Sequence, residues 1–119
     1  MNTLHYSKSK KINLPGRTVY SMVGYHGIKS EKMAFGIAEL PPQSKMDPHK
    51  HLDEEEIIFI YEGFGKLHVR DDMTEDLEPG TVIVAPRGVE HTIENLSQNV
   101  MRWAWVFNPP VKIGNHTSE

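Results

Sequence analysis

Turn-forming residues recur at short intervals throughout this chain of 119 residues, and their spacing sets the length of every element between them. Glycine permits positive φ, and proline fixes its own φ and has no backbone N–H, so clusters of these residues interrupt regular structure. The segments between the clusters are short runs rather than helices. The clusters are Leu14-Pro15-Gly16, Pro41-Pro42-Gln43-Ser44, Gly63-Phe64-Gly65, Asp71-Asp72, Glu78-Pro79-Gly80, Pro86-Arg87-Gly88 and Asn108-Pro109-Pro110.

Six of the intervening segments are rich in β-branched and aromatic residues, and several alternate with period two. In Lys66-Leu67-His68-Val69-Arg70 the apolar side chains fall on one face and the charged ones on the other, which is typical of a half-exposed strand. Many short strands joined by regular turns predict an all-β sandwich or barrel. The predicted strands are 18–23, 33–40, 57–61, 66–70, 81–85 and 100–107.

The composition is ordinary for one soluble globular domain, with 38% hydrophobic and 24% charged residues. The net charge of -3 and the absence of a basic stripe argue against a nucleic-acid partner. No apolar stretch is long enough to span a bilayer, and the first residues do not have the pattern of a secretion signal. We therefore expect a cytoplasmic protein with no membrane partner.

The chain contains no cysteine, which excludes disulfides, thiolate metal sites and cysteine nucleophiles. Any metal ion must therefore be held by nitrogen and oxygen atoms. A serine nucleophile is disfavoured as well, because no G-x-S-x-G elbow occurs.

The predicted organisation is an N-terminal arm over residues 1–13, a β-barrel domain over 14–111 and a polar tail over 112–119. An arm of this kind either stays mobile or adds a strand to a partner subunit. The sequence alone leaves both alternatives open.

The first group of candidate metal ligands is in the segment from Pro48 to Glu56. On a strand, His49 and His51 project to the same face while Lys50 points to the other, so two imidazoles can reach one ion from the barrel interior. Glu56 opens the next predicted strand and could bring a carboxylate back to that ion.

The second group follows the buried strand 81–85. Pro86 and Gly88 allow a tight reversal, after which a new strand can begin near His91. A third imidazole ligand would need this placement.

In order and spacing these residues resemble the two motifs of the cupin superfamily. The first, G-x5-H-x-H-x(3,4)-E-x6-G, is matched by His49-x-His51-x4-Glu56-x6-Gly63, with Gln43 in place of its leading glycine. The second, G-x5-P-x-G-x2-H-x3-N, is matched throughout by Gly80-x5-Pro86-x-Gly88-x2-His91-x3-Asn95. The departure at Gln43 is expected to affect only the turn after Pro41-Pro42.

The resemblance to small single-domain cupins implies a double-stranded β-helix, or jelly-roll, barrel. By family precedent it also implies one divalent metal ion (Fe, Mn, Ni, Zn, Cu or Co) bound by His49, His51, Glu56 and His91. Glu55 competes with Glu56 for the carboxylate role, and the spacing to Gly63 favours Glu56. The alternative is a cupin barrel whose site is empty or vestigial.

Other polar residues have less specific patterns. Asp53, Glu54 and Glu55 are interpreted as a solvated loop, and Asn95 is interpreted as a structural residue that hydrogen-bonds nearby backbone. The remaining histidines are not predicted as ligands, since His68 alternates with Leu67 and Val69 and the others have no partner pattern: His5, His26 and His116.

An aromatic stripe marks the last predicted strand, where Trp103, Trp105 and Phe107 share a face with Met101. Core packing or a dimer interface is the favoured interpretation, and a ligand-pocket wall is the alternative. Because small cupins commonly pair, and the arm and this strand could cover exposed sheet, we expect a homodimer.

Ile58 and Ile60 share the parity of Glu56 and are expected to line the pocket. Some lyases of the superfamily have a tyrosine as general base two residues after the ligand glutamate. Ile58 stands at that position here, which disfavours a lyase.

The favoured function is a metal-dependent enzyme of the dioxygenase, decarboxylase or isomerase type that acts on a small oxygen-rich metabolite. Three neutral imidazoles and one carboxylate would leave two positions of an octahedral ion open for water, substrate or dioxygen. The alternative is a non-catalytic cupin that binds a small ligand or carbohydrate. The polar residues whose distance from the metal would best separate the two are Arg102, Glu39, Lys45, Tyr20 and Tyr25.

Overall fold

Strands form nearly all of the regular structure in residues 2–70 and 73–110, which are the residues that the computed structural model describes. One short 3-10 turn, Tyr6–Lys8, precedes the strands. The strands are β1 (Lys10–Leu14), β2 (Arg17–Val23), β3 (Ala34–Leu40), β4 (Ser44–Lys45), β5 (Glu55–Glu62), β6 (Gly65–Val69), β7 (Met73–Leu77), β8 (Val82–Ala85), β9 (His91–Asn95) and β10 (Met101–Asn108).

The strands form two antiparallel sheets whose neighbours are mostly distant in sequence. The larger sheet has the order β1-β2-β3-β10-β5-β8, and the smaller has the order β4-β9-β6-β7. The last strand, β10, lies between β3 and β5, and β9 lies between β4 and β6. This is the double-stranded β-helix, so the all-β fold prediction is confirmed.

Alternation along the strands decides which side chains face the interior. In β10 every second residue from Met101 to Phe107 is buried, and in β5 the buried residues are Glu56, Ile58 and Ile60. Successive side chains of a strand point to opposite faces, so these residues meet between the sheets. The interior is therefore apolar except where the sequence places polar residues on an inward position.

Gly36 in β3 makes room for one wall of the interior. A β-carbon at this position would lie 2.2 Å from the carbonyl oxygen of Tyr20 and 2.3 Å from Cζ2 of Trp105. Both distances are far shorter than a van der Waals contact, so only glycine lets the Trp105 ring lie against β3.

The six predicted strands are all present, with ends within two residues of the predicted ones. A new strand also begins at His91, as the second group of ligands requires. β1, β4 and β7 were not predicted. In β7 only Leu77 is buried, so this strand lacks the apolar alternation on which the prediction relied, and pairing with β6 holds it in place.

The predicted arm over residues 1–13 includes most of β1, which pairs with β2 of the same chain in the register Lys10↔Ser21 to Leu14↔Arg17. β1 is largely exposed, and only Leu14 packs against the core. The domain bounds remain a prediction, and the predicted turn Asp71-Asp72, residue 111 and the predicted tail 112–119 lie outside the described residues.

Candidate metal centre

Backbone hydrogen bonds hold the first histidine segment against the start of β9. His49 N–H donates to the carbonyl oxygen of His91 at 3.0 Å, and His91 N–H donates to that of His49 at 2.9 Å. Residues that exchange both bonds across an antiparallel pair lie directly opposite, with their side chains on the same face. The ring centroids of His49 and His91 are consequently only 4.4 Å apart.

The turn at Gly88 fixes the other end of the same segment. Gly88 has a φ of +77° and donates its N–H to the carbonyl oxygen of His51 at 2.7 Å. Thr92 adds a hydrogen bond from its hydroxyl to the carbonyl oxygen of Met46. Together these bonds join the loop that bears His49 and His51 to the strand that bears His91.

Two imidazole rings are oriented by backbone carbonyl groups. His91 Nδ1 lies 3.0 Å from the carbonyl oxygen of Val89, and His49 Nδ1 lies 3.4 Å from that of Asp47. A carbonyl oxygen can only accept, so each Nδ1 bears the proton and a neutral ring keeps its lone pair on Nε2. Such a hydrogen bond is the usual means by which a protein orients a histidine ligand.

Glu56 approaches the histidines from the larger sheet. Its Oε1 atom lies 3.6 Å from Nε2 of His51 and 3.6 Å from Nε2 of His91. The ligand atoms of His49, His51 and Glu56 all lie within 4.8 Å of one another, and these three buried residues form a group that could hold a metal ion. Glu55, the competing carboxylate, is exposed on the other face of β5.

Burial dominates the electrostatics of the group. It lowers the pKa of His49 to about 2, with further lowering by the nearby His91, Arg17 and His51. Burial also raises the pKa of Glu56, which the adjacent His91 opposes. For His91, burial lowers the pKa, but the adjacent Glu56 carboxylate and the Val89 carbonyl together raise it, and the net direction is upward. The lowered pKa of His49 favours the neutral imidazole that a metal ligand requires, whereas the raised pKa values of His91 and Glu56 favour a bound proton, which a metal ion at this site would displace.

Two polar atoms at the centre of the site lack hydrogen bonds. Among the described residues, Glu56 Oε1 and His91 Nε2 are buried and make none, because their separation of 3.6 Å exceeds hydrogen-bond length. A buried polar atom without a partner costs roughly 1–3 kcal/mol, and a cation between these atoms would offset that cost. The donor set of imidazole nitrogen and carboxylate oxygen therefore fits a transition-metal ion.

The group opens into an interior cavity of about 30 Å³. Its walls are largely apolar and include the aromatic stripe of β10, so Trp103, Trp105 and Phe107 both pack in the core and wall the pocket. Ile58 lines the cavity as predicted, whereas Ile60 is buried in the core outside it. The other lining residues are Leu14, Arg17, Val19, Ala38, Met46, His49, His51 and Glu56.

Arg17 is the functional candidate that the sequence analysis missed. It is the first residue of β2, where it shares the inward parity of the buried residues Val19 and Ser21. Burial lowers the pKa of Arg17, and the charges of Glu56 and Asp47 raise it. The predicted strand began one residue later, at 18, so the inward alternation was not extended back to Arg17.

The five polar residues whose distance from the metal would separate an enzyme from a binding protein do not line the cavity. Arg102 Nε donates to Glu39 at 2.9 Å, Arg102 Nη1 donates to Glu62 at 2.7 Å, and the Tyr20 hydroxyl lies 3.4 Å from Glu39. These residues occupy the outward positions of their strands. Lys45 and Tyr25 are exposed and line other grooves on the surface.

Asn95 has the structural role that the sequence analysis assigned to it. Its amide nitrogen donates to the carbonyl oxygens of Leu40, Pro41 and Asn99, and its Oδ1 accepts from Ser97. The side chain is fully buried. Asn95 therefore ties the end of β9 to the end of β3, far from any ligand role.

His68 lies on the outward face of β6, where its Nε2 is 2.9 Å from Glu94 Oε1. Its side chain is 28% exposed, so the residue is half-buried rather than fully solvated. No atom of His68 belongs to the candidate group.

A family model for the cupin domain matches residues 36–107, which is more than half of the chain. The protein therefore belongs to the cupin family. An uncharacterized protein of Methanocaldococcus jannaschii is 30% identical over 106 residues, covering 88% of this chain and 84% of the relative. L-ectoine synthase of Vibrio campbellii is 27% identical, over 71% of this chain and 66% of that enzyme.

Solved structures of the same fold include the polyketide cyclase RemF from Streptomyces resistomycificus. It has a TM-score of 0.77 and 23% sequence identity, with 98% of this chain and 89% of the cyclase covered. Relatives and structural neighbours thus include enzymes of different activities. In the described part of the chain no helix is long and apolar enough to cross a membrane.

Proposed function

We propose that this protein is a metal-dependent cupin enzyme that binds one divalent ion through His49, His51, Glu56 and His91. It would act on a small oxygen-rich metabolite, in a reaction of the dioxygenase, decarboxylase or isomerase type. The observation that carries the proposal is the proximity of three imidazoles and one carboxylate, all buried, beside a largely apolar cavity.

The donor set indicates what the ion would contribute. Three neutral imidazoles and one carboxylate leave one net positive charge on a divalent ion. When bound, the ion would polarise a carboxylate, enediol or keto group as a Lewis acid, or act as a redox centre if it is iron or manganese. Imidazole and carboxylate ligands accept several first-row metals, so the identity of the ion depends on supply as well as on the site.

The protein's own residues would orient the ligands and exclude water. The carbonyl oxygens of Asp47 and Val89 hold the rings of His49 and His91 with Nε2 available. Trp103, Trp105 and Phe107 enclose the cavity with apolar surface, which strengthens electrostatic interactions within it.

A second candidate function is non-catalytic binding of a small ligand or carbohydrate. The observation that favours it is the composition of the cavity wall, where Glu56 is the only carboxylate and no tyrosine occurs among the described lining residues. Proton-transfer catalysis needs a general acid or base besides the metal ligands. This composition therefore supports binding or oxygen chemistry over proton transfer, whereas the names of the relatives support an enzyme.

Elemental analysis of protein purified without added metal tests the metal site. We expect about one equivalent of metal in the wild type and in His68→Ala, whose side chain lies on the outward face. His51→Ala and His91→Ala should each lose most of the metal, because each removes one ligand. Full occupancy in both variants would refute the assignment.

An oxygen-consumption and turnover screen of small hydroxy, keto and dicarboxylic acids separates the two functions. Metal-dependent turnover that is lost in His91→Ala supports an enzyme. Saturable binding without turnover of any compound that binds supports the non-catalytic alternative.

A further inference from the structure

One guanidinium group lies in the wall of the cavity that holds the candidate metal centre. Arg17 is the only lysine or arginine among the described residues that line it. The hairpin of β1 and β2 places it there, because Arg17 pairs with Leu14 at the hairpin end and both residues face the cavity.

With a metal ion bound, the cavity would carry a net positive charge. Among the described lining residues Glu56 is the only acidic one, and its charge acts on both the candidate metal position and Arg17; Asp47, which also acts on Arg17, does not line the cavity. With a divalent ion, neutral imidazoles and an ionised Glu56, the charges lining the cavity would sum to about +2 once Arg17 is counted, and Asp47 outside the wall would offset part of that charge. A partly buried cation in apolar surroundings is stabilised by an anion that shares its cavity.

The cavity walls also limit the size of the anion. The cavity is small, about 30 Å³, so a compact anion that enters from its opening fits it better than a bulky one. A guanidinium presents planar, paired N–H donors that match the two oxygens of a carboxylate.

We propose that Arg17 binds the carboxylate of the substrate while an adjacent substrate oxygen faces the metal centre, so that the substrates are small hydroxy or keto carboxylates. This inference rests on the proposed function and narrows its substrate class. Arg17 is then a specificity-determining residue, and its charge would favour an acid over the corresponding neutral amide.

Glycolate and glycolamide are a matched pair of probes, since they differ mainly in the charge of the group that Arg17 would bind. Their dissociation constants can be measured with Co²⁺-loaded protein by the change in visible absorption and by calorimetry. The variants are Arg17→Met, which keeps an unbranched apolar stem but removes the guanidinium charge, and Arg17→Lys. Arg102→Met is the matched control, because Arg102 is paired with Glu39 and Glu62 on the outward face.

In the wild type and in Arg102→Met we expect glycolate to bind more tightly than glycolamide. In Arg17→Met the preference for glycolate should fall at least tenfold, with the affinity for glycolamide changed less than twofold. Arg17→Lys should give an intermediate preference because it keeps the charge but not the paired donors. Metal content should be unchanged or higher in Arg17→Met, since that variant removes a positive charge near the ion.

An unchanged preference in Arg17→Met would overturn the proposal, as would an equal loss of affinity for both probes, which would indicate collapse of the cavity. Inorganic phosphate that binds more tightly than glycolate with the same dependence on Arg17 would overturn the carboxylate class. If the wild type binds no metal, the proposed function fails separately. The same titrations on metal-free protein then decide the role of Arg17: glycolate binding that Arg17→Met abolishes supports it, and equal or absent binding refutes it.

Discussion

Gln43 occupies the position at which the first cupin motif has glycine, and its backbone provides a direct test of the turn. Gln43 has a φ of +51°, the only positive φ of a non-glycine residue in the described chain. It follows Pro42 in the turn between β3 and β4, and a type II turn requires positive φ at this third position. We therefore predict that Gln43→Gly stabilises the protein.

The magnitude follows from two opposing terms. A left-handed backbone costs a residue with a β-carbon about 1–2 kcal/mol. Glycine loses about 0.5–1 kcal/mol more conformational entropy on folding than alanine. The difference predicts a gain of about 0.5–1 kcal/mol in the free energy of unfolding, which corresponds to a rise in Tm of about 2–5 °C for a chain of this size.

Thermal and urea unfolding of equally metal-loaded proteins would measure this gain. Gln43→Ala is the first control: it removes the side chain but keeps the β-carbon, so we expect stability within about 0.5 kcal/mol of the wild type. Gly80→Ala is the reverse control, because Gly80 has a φ of +97° and a β-carbon there would meet no atom within 4 Å. It should lose about 1 kcal/mol from backbone conformation alone. If Gln43→Gly is no more stable than Gln43→Ala, the explanation by backbone conformation is wrong.

Other predictions concern the core, the metal and the assembly. Gly36→Ala should destabilise the fold by several kcal/mol and yield little soluble protein, because the new β-carbon would overlap Tyr20 and Trp105; near-normal urea unfolding would contradict this. Asn95→Ala should cost about 3 kcal/mol or more in unfolding free energy, since it leaves buried backbone groups without partners, and a cost below 1 kcal/mol would show that water replaces the amide. Removal of metal with a chelator should lower Tm, as an ion at a hundredfold excess over Kd adds about 2.7 kcal/mol to the stability of the native state; identical melting curves would refute the site. The homodimer remains a prediction, and light scattering that gives a monomer mass at micromolar concentration would refute it.

The spacing of the ligand residues could be interpreted from the sequence because strand periodicity and turn formation depend on neighbouring residues. His49 and His51 are two residues apart, so any strand-like backbone places them on one face. Gly88 adopts the positive φ that the Pro86-Arg87-Gly88 pattern predicted. The all-β class could be predicted from the same local signals. The order and spacing of the ligand residues then matched the two cupin motifs.

Strands without an alternation of apolar residues could not be predicted from the sequence. β7 is almost wholly exposed and β1 nearly so, and each is held by pairing with a neighbouring strand rather than by its own pattern. The sequence could not decide whether the aromatic stripe packs in the core or forms a pocket wall, because the buried face of one strand can do both. Trp105 does both only because Gly36 on the neighbouring strand has no β-carbon.

The sequence by itself determined that the chain is all-β and that two imidazoles share a face, since both depend on residues close in the chain. Only the tertiary structure decided that Glu56 lies 3.6 Å from His91, a residue on the other sheet, and that Arg17 enters the same cavity. These placements depend on the pairing of His49 with His91 and on how the two sheets pack together. Distances across a barrel are set by the packing of side chains from several strands, and no local pattern of residues encodes them.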